Sequence, residues 1–326
     1  KALSQEEVST LYNIQDQTEY SVTFDEPSGT ECDILIVGGG GGGGCSYSES
    51  SGTPGAGGGA GGLIFLTNQT IPTGPYIIKV GKGGDGDVYT DTTVPKRGKI
   101  GNNSSFSYLQ TEAIGGGGGG SRNGITIGAN GGSGGGSVIT DTNVSELTVG
   151  LGETSDIIKS DGTTVIISNY IQGNNGGTAI FPDTTGPFCG GGGGAGFNGI
   201  SSKTDPDDTS LDSNGGDGLS GKDGIDFKTY FNINDTAIGD HSNGLVYFAG
   251  GGAGGYKYDN PVNSSFGGLG GGADSFDGDG KNGKANTGGG GSGSRSSENQ
   301  GQKNGGAGGS GIVIIRYKYK SGTSST

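Results

Sequence analysis

The sequence predicts a mostly β and irregular fold: a polyglycine II helix bundle flanked by short β-strands, with long surface loops and almost no α-helix. Glycine supplies 81 of the 326 residues, whereas hydrophobic residues supply only 28%, so a conventional apolar core cannot be large. Glycine-rich chains with so little apolar content are often disordered or act as flexible linkers. Here the glycines form tight tracts beside short apolar runs of strand character, which favours an ordered block.

The glycine tracts are the main organising feature of the chain. They are Gly38–Gly44, Gly57–Gly62, Gly115–Gly120, Gly131–Gly136, Gly190–Gly194, Gly250–Gly255, Gly267–Gly272, Gly288–Gly291 and Gly305–Gly311. No fixed period separates them, which argues against a solenoid, and no Gly-X-Y register with proline holds, which argues against collagen. An extended helix with three residues per turn has no internal hydrogen bonds. Its N–H and C=O groups must therefore bond to neighbours, and chains without side chains can pack closely enough to do so.

Short apolar or alternating runs predict the strands that support this block. The predicted strands are Glu19–Phe24, Cys32–Val37, Leu63–Leu66, Tyr76–Val80, Phe106–Leu109, Glu112–Ile114 and Ile312–Tyr317. The third and fourth are expected to form a hairpin, because a Pro/Gly turn separates them. The residues expected to supply hydrophobic burial are Ile34, Ile36, Leu63, Phe65, Ile77, Val80, Ile312 and Ile314.

The predicted domain organisation has three parts. Residues 1–17 form a short helix and linker, because Ser4 and Glu7 make a capping-box pattern. Residues 18–320 form the glycine-rich domain, and residues 321–326 form a flexible tail. Because the chain begins with Lys1 rather than Met, we expect it to be part of a longer or processed protein.

Charge narrows the range of partners. The formal net charge is −14 and the pI is about 4.4, which disfavours nucleic acid and anionic membrane surfaces as partners. The sequence has no run of 18 or more apolar residues, so no membrane span is expected.

Three cysteines are present: Cys32, Cys45 and Cys189. Cys32 and Cys45 flank one strand-and-tract unit and are the expected disulfide pair, with Cys189 left as a free thiol. The alternative is three small buried residues. The spacing of the cysteines and the single His241 does not match a zinc site.

Several other residue patterns are candidates for sites. The N-x-[ST] sequons are candidate glycosylation sites if the protein follows a secretory route. They lie at Asn68, Asn102, Asn103, Asn143, Asn234 and Asn263. Asp277 and Asp279 are weak calcium candidates within a loop that lacks the final glutamate of an EF-hand. Glycine spacing after Val37 mimics a dinucleotide fingerprint, but no helix can begin there, so no cofactor is expected.

Tyr47, Tyr256 and Tyr258 lie beside glycine tracts. One interpretation is that they cap the ends of the bundle. The other is that they are exposed on loops of a rigid scaffold, where they could contact a glycan or a receptor.

Four segments carry a resemblance to a known family. They are Glu31–Gly44 (ECDILIVGGGGGGG), Gly61–Asn68 (GGLIFLTN), Ile71–Gly84 and Gly308–Tyr317 (GGSGIVIIRY). In this order they resemble a glycine-rich domain family of giant-virus, algal and bacterial surface proteins, distantly similar to the polyglycine II sandwich of phage tail-fibre adhesins. Residues 1–13 resemble the end of a laminin-G-like or concanavalin-A-like domain. The resemblance implies an adhesive or architectural role at an extracellular or virion surface and supplies no catalytic residues.

The sequence therefore leads to a ranked set of functions, none of them enzymatic. The first is a structural component of a virion surface or an extracellular filament, which associates with itself or with other structural subunits. The second is an adhesin whose loops recognise a carbohydrate or a cell-surface receptor. A remote third is an ice-binding protein, although no regular threonine array is present.

Overall fold

A computed structural model describes most of the chain. The described residues are 18–46, 54–89, 96–122, 124–139, 148–179, 189–201, 214–222, 224–255, 265–276, 278–295 and 301–317. The helix predicted in residues 1–13 and the tail at 321–326 lie outside these ranges.

Extended glycine-rich segments, here called rods, form the centre of the molecule. The central rod comprises residues 38–46, and its N–H groups donate in a three-residue rotation to three antiparallel neighbours. Gly38, Gly41 and Gly44 donate to Gly62, Gly59 and Ala56; Gly39 and Gly42 to Asn102 and Lys99; Gly40 and Gly43 to Gly309 and Gly306. This rotation is the hydrogen-bonding pattern expected of a helix with three residues per turn.

The carbonyl groups of the central rod complete the pattern. They accept from three parallel neighbours, the rods at residues 81–89, 115–121 and 288–295. The donors are Gly84 and Asp87, Gly116 and Gly119, and Gly291 and Ser294. The central rod is therefore surrounded by rods that alternate between antiparallel acceptors and parallel donors, and the N–H groups of Gly38–Gly44 are paired without any side chain.

The rods pack too closely to admit a Cβ atom inside the bundle. A Cβ built on Gly41 would lie 2.2 Å from Gly117 O, and one on Gly58 would lie 2.2 Å from Gly41 O. Ala56 and Ala60 are nevertheless fully buried, and each belongs to one of the apolar clusters. This close approach explains why the tracts are nearly pure glycine.

Two small sheets cover one end of the bundle, here called the sheet end. Their strands are β1 (Thr18–Phe24), β2 (Thr30–Val37), β3 (Leu63–Ile71), β4 (Gly74–Val80), β5 (Ser105–Phe106) and β12 (Ile312–Tyr317). One sheet has the order β12-β2-β3 and the other β1-β4-β5. Each of the strands β2, β3, β4, β5 and β12 is continuous in sequence with a rod. The order of the strands in the sheets is therefore coupled to the arrangement of the rods in the bundle.

Apolar side chains pack on both faces of the β12-β2-β3 sheet. Ile34, Ile36, Ile78 and Phe106 belong to the cluster between the two sheets. On the opposite face, an inserted segment packs against Phe65 and its neighbours. That segment contains β8 (Gly221–Lys222), β9 (Ile225–Asp226), the single described helix α1 (Phe227–Phe231), β10 (Asp240–Ser242) and β11 (Leu245–Tyr247). Separately, β6 (Thr154–Ile158) pairs with β7 (Thr164–Ile171).

The structure confirms the fold class and corrects three details of the strand predictions. The predicted strand Glu112–Ile114 is not a strand, and only Ala113 forms an isolated bridge, with Ser104. β3 and β4 do not form a hairpin with each other, because β3 pairs with β2 while β4 pairs with β1. Ile77 is 41% exposed, whereas Ile78 is buried. The alternation of β4 places Ile78 and Val80 inward, which leaves the intervening positions on the outer face.

Candidate functional site

The end of the bundle opposite the sheets is here called the tip end. Ser46 N–H donates to Lys303 O, and Cys189 N–H donates to Gly255 O. Ser46, Cys189 and Gly255 each border a stretch outside the described residues, and Lys303 lies three positions after one. The gaps flanked by residues at this end are 47–53, 90–95, 140–147, 180–188, 202–213, 256–264 and 296–300. The fold therefore brings many separate parts of the sequence to one end of a rigid block.

A buried polar cluster lies near the tip end, where three rods meet. Cys45 Sγ donates to Asp87 Oδ2 at 3.1 Å, and Ser121 Oγ donates to the same oxygen at 2.7 Å. Cys45 N–H in turn donates to Ser121 Oγ. Burial and the charge of Asp87 raise the pKa of the Cys45 thiol to about 12. The cysteine therefore stays protonated and acts as a hydrogen-bond donor rather than as a nucleophile.

The expected Cys32–Cys45 disulfide is wrong in this structure, because all three cysteines are free and buried. Cys32 lies in the β2 strand and Cys45 lies beyond seven glycines of the central rod. The extended chain between them separates their Cα atoms by roughly 40 Å, whereas a disulfide needs about 4–7 Å. Burial, with the charge of Asp33, raises the pKa of the Cys32 thiol to about 12. Burial also raises the pKa of the Cys189 thiol.

The described sequons differ in the use of their side chains. Asn68, Asn102 and Asn234 are exposed. Asn103 is committed at both ends of its carboxamide, since Oδ1 accepts from Gly115 N–H and Nδ2 donates to Glu112. Asn143 and Asn263 lie outside the described residues. All six remain predictions as glycosylation sites.

The calcium candidates gain no ligand partner in the described part of the chain. Asp279 uses Oδ1 to accept from Asn304 N–H at 2.8 Å, and Asp277 lies outside the described residues. Among the described residues, no group of three or more His, Cys, Asp or Glu side chains could hold a metal ion. His241 contacts two backbone carbonyls, Asp235 O and Ile238 O, each at 3.1 Å, so it helps to close a turn.

The candidate aromatic residues Tyr47, Tyr256 and Tyr258 lie outside the described residues. The described residues next to them, Ser46 and Gly255, both lie at the tip end. The chain therefore leads towards all three tyrosines from the same end of the bundle.

The sequence did not predict one feature of the structure. At the sides of the bundle, polar side chains accept hydrogen bonds from backbone N–H groups that would otherwise face solvent; these contacts are here called sealing contacts. Peripheral rods have N–H groups that face away from the other rods, and Asn or Asp side chains on adjacent rods accept from them. The pairs are Leu151 with Asn130, Gly152 with Asn175, Asn175 with Asn198, Phe266 with Asn214, Leu269 with Asp217, Gly267 with Asp274 and Ala307 with Asn282. The signal in the sequence is the frequent Asn-Gly step, which resembles turn chemistry and is here side-chain capping.

The family of the chain follows from a match that covers this architecture. A family model for a glycine-rich domain matches residues 16–318. The chain belongs to this glycine-rich domain family. The match begins just before β1 and ends just after β12, so the family domain coincides with the bundle and the two sheets.

Comparison with curated proteins finds none that matches this chain. Within the described residues, no helix has the length and apolar character needed to cross a membrane.

Proposed function

We propose that this glycine-rich domain is a non-enzymatic scaffold at a virion surface or in an extracellular filament or appendage. The observation that carries the proposal is the central rod, whose backbone donates to three neighbouring rods and accepts from three others. Such a rod needs little apolar core, because its backbone pairs with neighbouring rods on every side. It is suited to hold its ends at a fixed separation.

The two ends of the bundle differ in a way that supports different roles for each. The sheet end contains the two larger apolar clusters and the edge strands β1 and β12, and subunits can pair through edge strands. At the tip end, the described chain borders segments of different sequence length, from five residues at 296–300 to twelve at 202–213. A scaffold that attaches at one end and presents segments at the other fits this arrangement.

Negative-stain electron microscopy of natively purified material, with its mass measured in solution, tests this proposal. Ordered filaments, particles or discrete oligomers are expected. A strictly monomeric protein at every concentration, with no ordered assembly, would overturn the scaffold function.

A second candidate function is an adhesin that recognises a carbohydrate or a cell-surface receptor. It is favoured by the position of Ser46 and Gly255 at one end of the bundle, because the chain continues from them to Tyr47, Tyr256 and Tyr258. Rigid scaffolds commonly present binding loops in this manner. Glycan-array binding by the wild-type chain, lost when the three tyrosines are replaced by alanine, is the expected result. Binding unchanged by these substitutions would contradict it.

The remote ice-binding alternative lacks such support. The exposed positions of rod 81–89 are Lys82, Asp85 and Val88, which repeat every third residue. They mix charge and an aliphatic group instead of forming a row of threonines.

A further inference from the structure

The rods at residues 81–89 and 301–309 lie side by side on the periphery and border an open groove. They are antiparallel and in direct contact, since Gly308 N–H donates to Gly84 O and Gly305 N–H donates to Asp87 O. Rod 81–89 also donates to the central rod through the N–H groups of Gly84 and Asp87. Tyr89 N–H points elsewhere and donates to the Oδ1 of Asn304.

Two backbone donors on rod 81–89 face this groove without a partner among the described residues. In a helix with three residues per turn, the N–H groups of Gly86 and Gly83 point in the direction of Tyr89 N–H. Neither group donates a hydrogen bond to any described residue. Gly83 is buried and Gly86 is partly exposed, so the N–H of Gly86 is the one within reach of another chain.

Two backbone acceptors on rod 301–309 face the same groove. The carbonyl groups of Gly306 and Gly309 accept from the central rod, and that of Ala307 accepts from Gly283 N–H in the neighbouring rod. The carbonyl groups of this rod point in three directions, and those that point in the third direction are Gly305 O and Gly308 O. Neither accepts a backbone N–H from the described residues, and both glycines are partly exposed. The groove thus has donors on one wall and acceptors on the other.

This groove lacks a side-chain hydrogen-bond acceptor at the position where other grooves of the bundle have one. Asn304 accepts from Tyr89 N–H, and the antiparallel register places Ala307 opposite Gly86 as it places Asn304 opposite Tyr89. Alanine has no acceptor on its side chain, whereas Asn282 and Asn175 occupy the corresponding roles in other grooves. Exposed backbone groups in a row are a template for another chain.

We infer that this groove between rods 81–89 and 301–309 binds a glycine-rich extended strand of a second copy of this chain. The inference rests on the proposed scaffold function and specifies one of its subunit contacts. The added strand would accept from Gly86 N–H and donate to Gly305 and Gly308 O. It would extend the bundle as an added strand extends a sheet in β-augmentation.

The chemistry of the groove selects the occupant. Rods of this bundle approach so closely that a Cβ on Gly83 would lie 1.9 Å from Gly308 O, so an entering strand needs glycine at its inward positions. Residues 1–17 contain no glycine and residues 318–326 contain only Gly322. The tails of the same chain therefore do not fit, whereas the peripheral rods of another copy carry the partly exposed glycines Gly86, Gly305 and Gly308.

Substitution of Ala307 by asparagine provides a sharp test. The introduced carboxamide would place an Oδ1 on Gly86 N–H, as Asn304 does on Tyr89 N–H, and would fill the groove without touching the interior. The matched control is Ala285→Asn, which adds the same side chain at an exposed position outside the groove. Sedimentation equilibrium should show at least about tenfold weaker self-association for Ala307→Asn and wild-type association for the control.

Hydrogen exchange identifies the occupant in the same samples. Exchange in residues 81–89 of the full chain should slow as protein concentration rises, and it should do so less in Ala307→Asn. Self-association that is equal in all three proteins would overturn the groove while leaving the scaffold function intact. Absence of self-association in the wild type would overturn both. Protection at all concentrations that is lost when residues 1–17 are deleted would show that the chain fills its own groove, and would also overturn the inference.

Discussion

At the residue scale, Gly41 illustrates how the bundle depends on missing side chains. A Cβ there would lie 2.2 Å from the backbone oxygen of Gly117 and 2.5 Å from its carbonyl carbon, and backbone in a crowded lattice cannot move away cheaply. We predict that Gly41→Ala lowers the free energy of unfolding by about 3 kcal/mol or more, at the upper end of the cost of overpacking a core. Urea unfolding followed by circular dichroism measures the loss.

Gly301→Ala is the control for this substitution. Gly301 has a φ of +76° and open space around its Cβ position, so alanine there costs only backbone strain of about 1–2 kcal/mol. Equal destabilisation by the two substitutions would contradict the steric account.

The buried cysteines predict how stability responds to alkaline pH. The pKa of Cys32 and of Cys45 is raised from 9.0 to about 12 in the folded protein, first by burial and then by a neighbouring carboxylate. Protonated thiols therefore stabilise the fold fully below about pH 9, and this stability is lost as pH rises towards 12. We predict a steep fall in the free energy of unfolding across this window, measured by urea titration at fixed pH.

Cys45→Ser is the matched variant, because a hydroxyl can still donate to Asp87 and does not ionise in this range. It should reduce the alkaline slope by up to about 1.4 kcal/mol per pH unit. An unchanged slope would show that Cys45 does not contribute. Iodoacetamide should not label the thiols of the folded wild-type protein and should label them after unfolding.

At the element scale, one ion pair joins β2, β12 and the inserted helix α1. Arg316 donates to the buried Asp33 Oδ2 through Nε at 3.0 Å and Nη2 at 2.9 Å, and its guanidinium lies 3.6 Å from the ring centroid of Tyr230. Asp33 Oδ1 accepts from Asn68 N–H. The carboxylate is thus fully used at the point where the register of β2 and β3 shifts.

We predict that Arg316→Met costs about 3–5 kcal/mol, because it leaves Asp33 buried without its cation. The control is Lys79→Met, which removes an exposed ion pair with Glu19 and should cost at most about 1 kcal/mol. The double variant Arg316→Met with Asp33→Asn should recover part of the loss. Thermal and urea unfolding of the wild type, the two single variants of the pair and the double variant would measure this coupling, and additive effects would contradict it.

The elements also show how far the sequence could be read. The glycine tracts and the apolar runs at β2, β3, β4 and β12 predicted the rods and strands, because glycine and β-branched residues have strong local preferences. The packing of the rods decides which strands pair. The local sequence pattern therefore predicted a hairpin of β3 and β4 that the structure does not contain. Whether Ile77 or Ile78 is buried depends on the register of β4, because a shift of one residue exchanges the buried and exposed faces of a strand. The sealing role of residues such as Asn175 depends on neighbours distant in sequence.

At the scale of the whole molecule, distant parts of the chain meet in every layer of the bundle. The central rod bonds to residues near 60, 100, 117 and 290, and to the last rod near 306. The chain is closed when β12 pairs with β2, for example Ile312 opposite Val37. Contacts of such long sequence separation make folding slow and cooperative, because the central rod gains its partners only when nearly all rods are in place.

This connectivity predicts a graded pattern of amide hydrogen exchange. Gly39–Gly44 lie inside a ring of other rods, so their N–H groups should exchange only through global unfolding, with a free energy equal to that from urea denaturation. The N–H groups of Tyr89 and Ala307 bond to single side chains at the periphery and should exchange through local opening that is insensitive to low urea. Native-state exchange at increasing urea, read by mass spectrometry, distinguishes the two classes. Faster exchange in the central rod than at the periphery would mean that the bundle opens from within, which its hydrogen-bond lattice forbids.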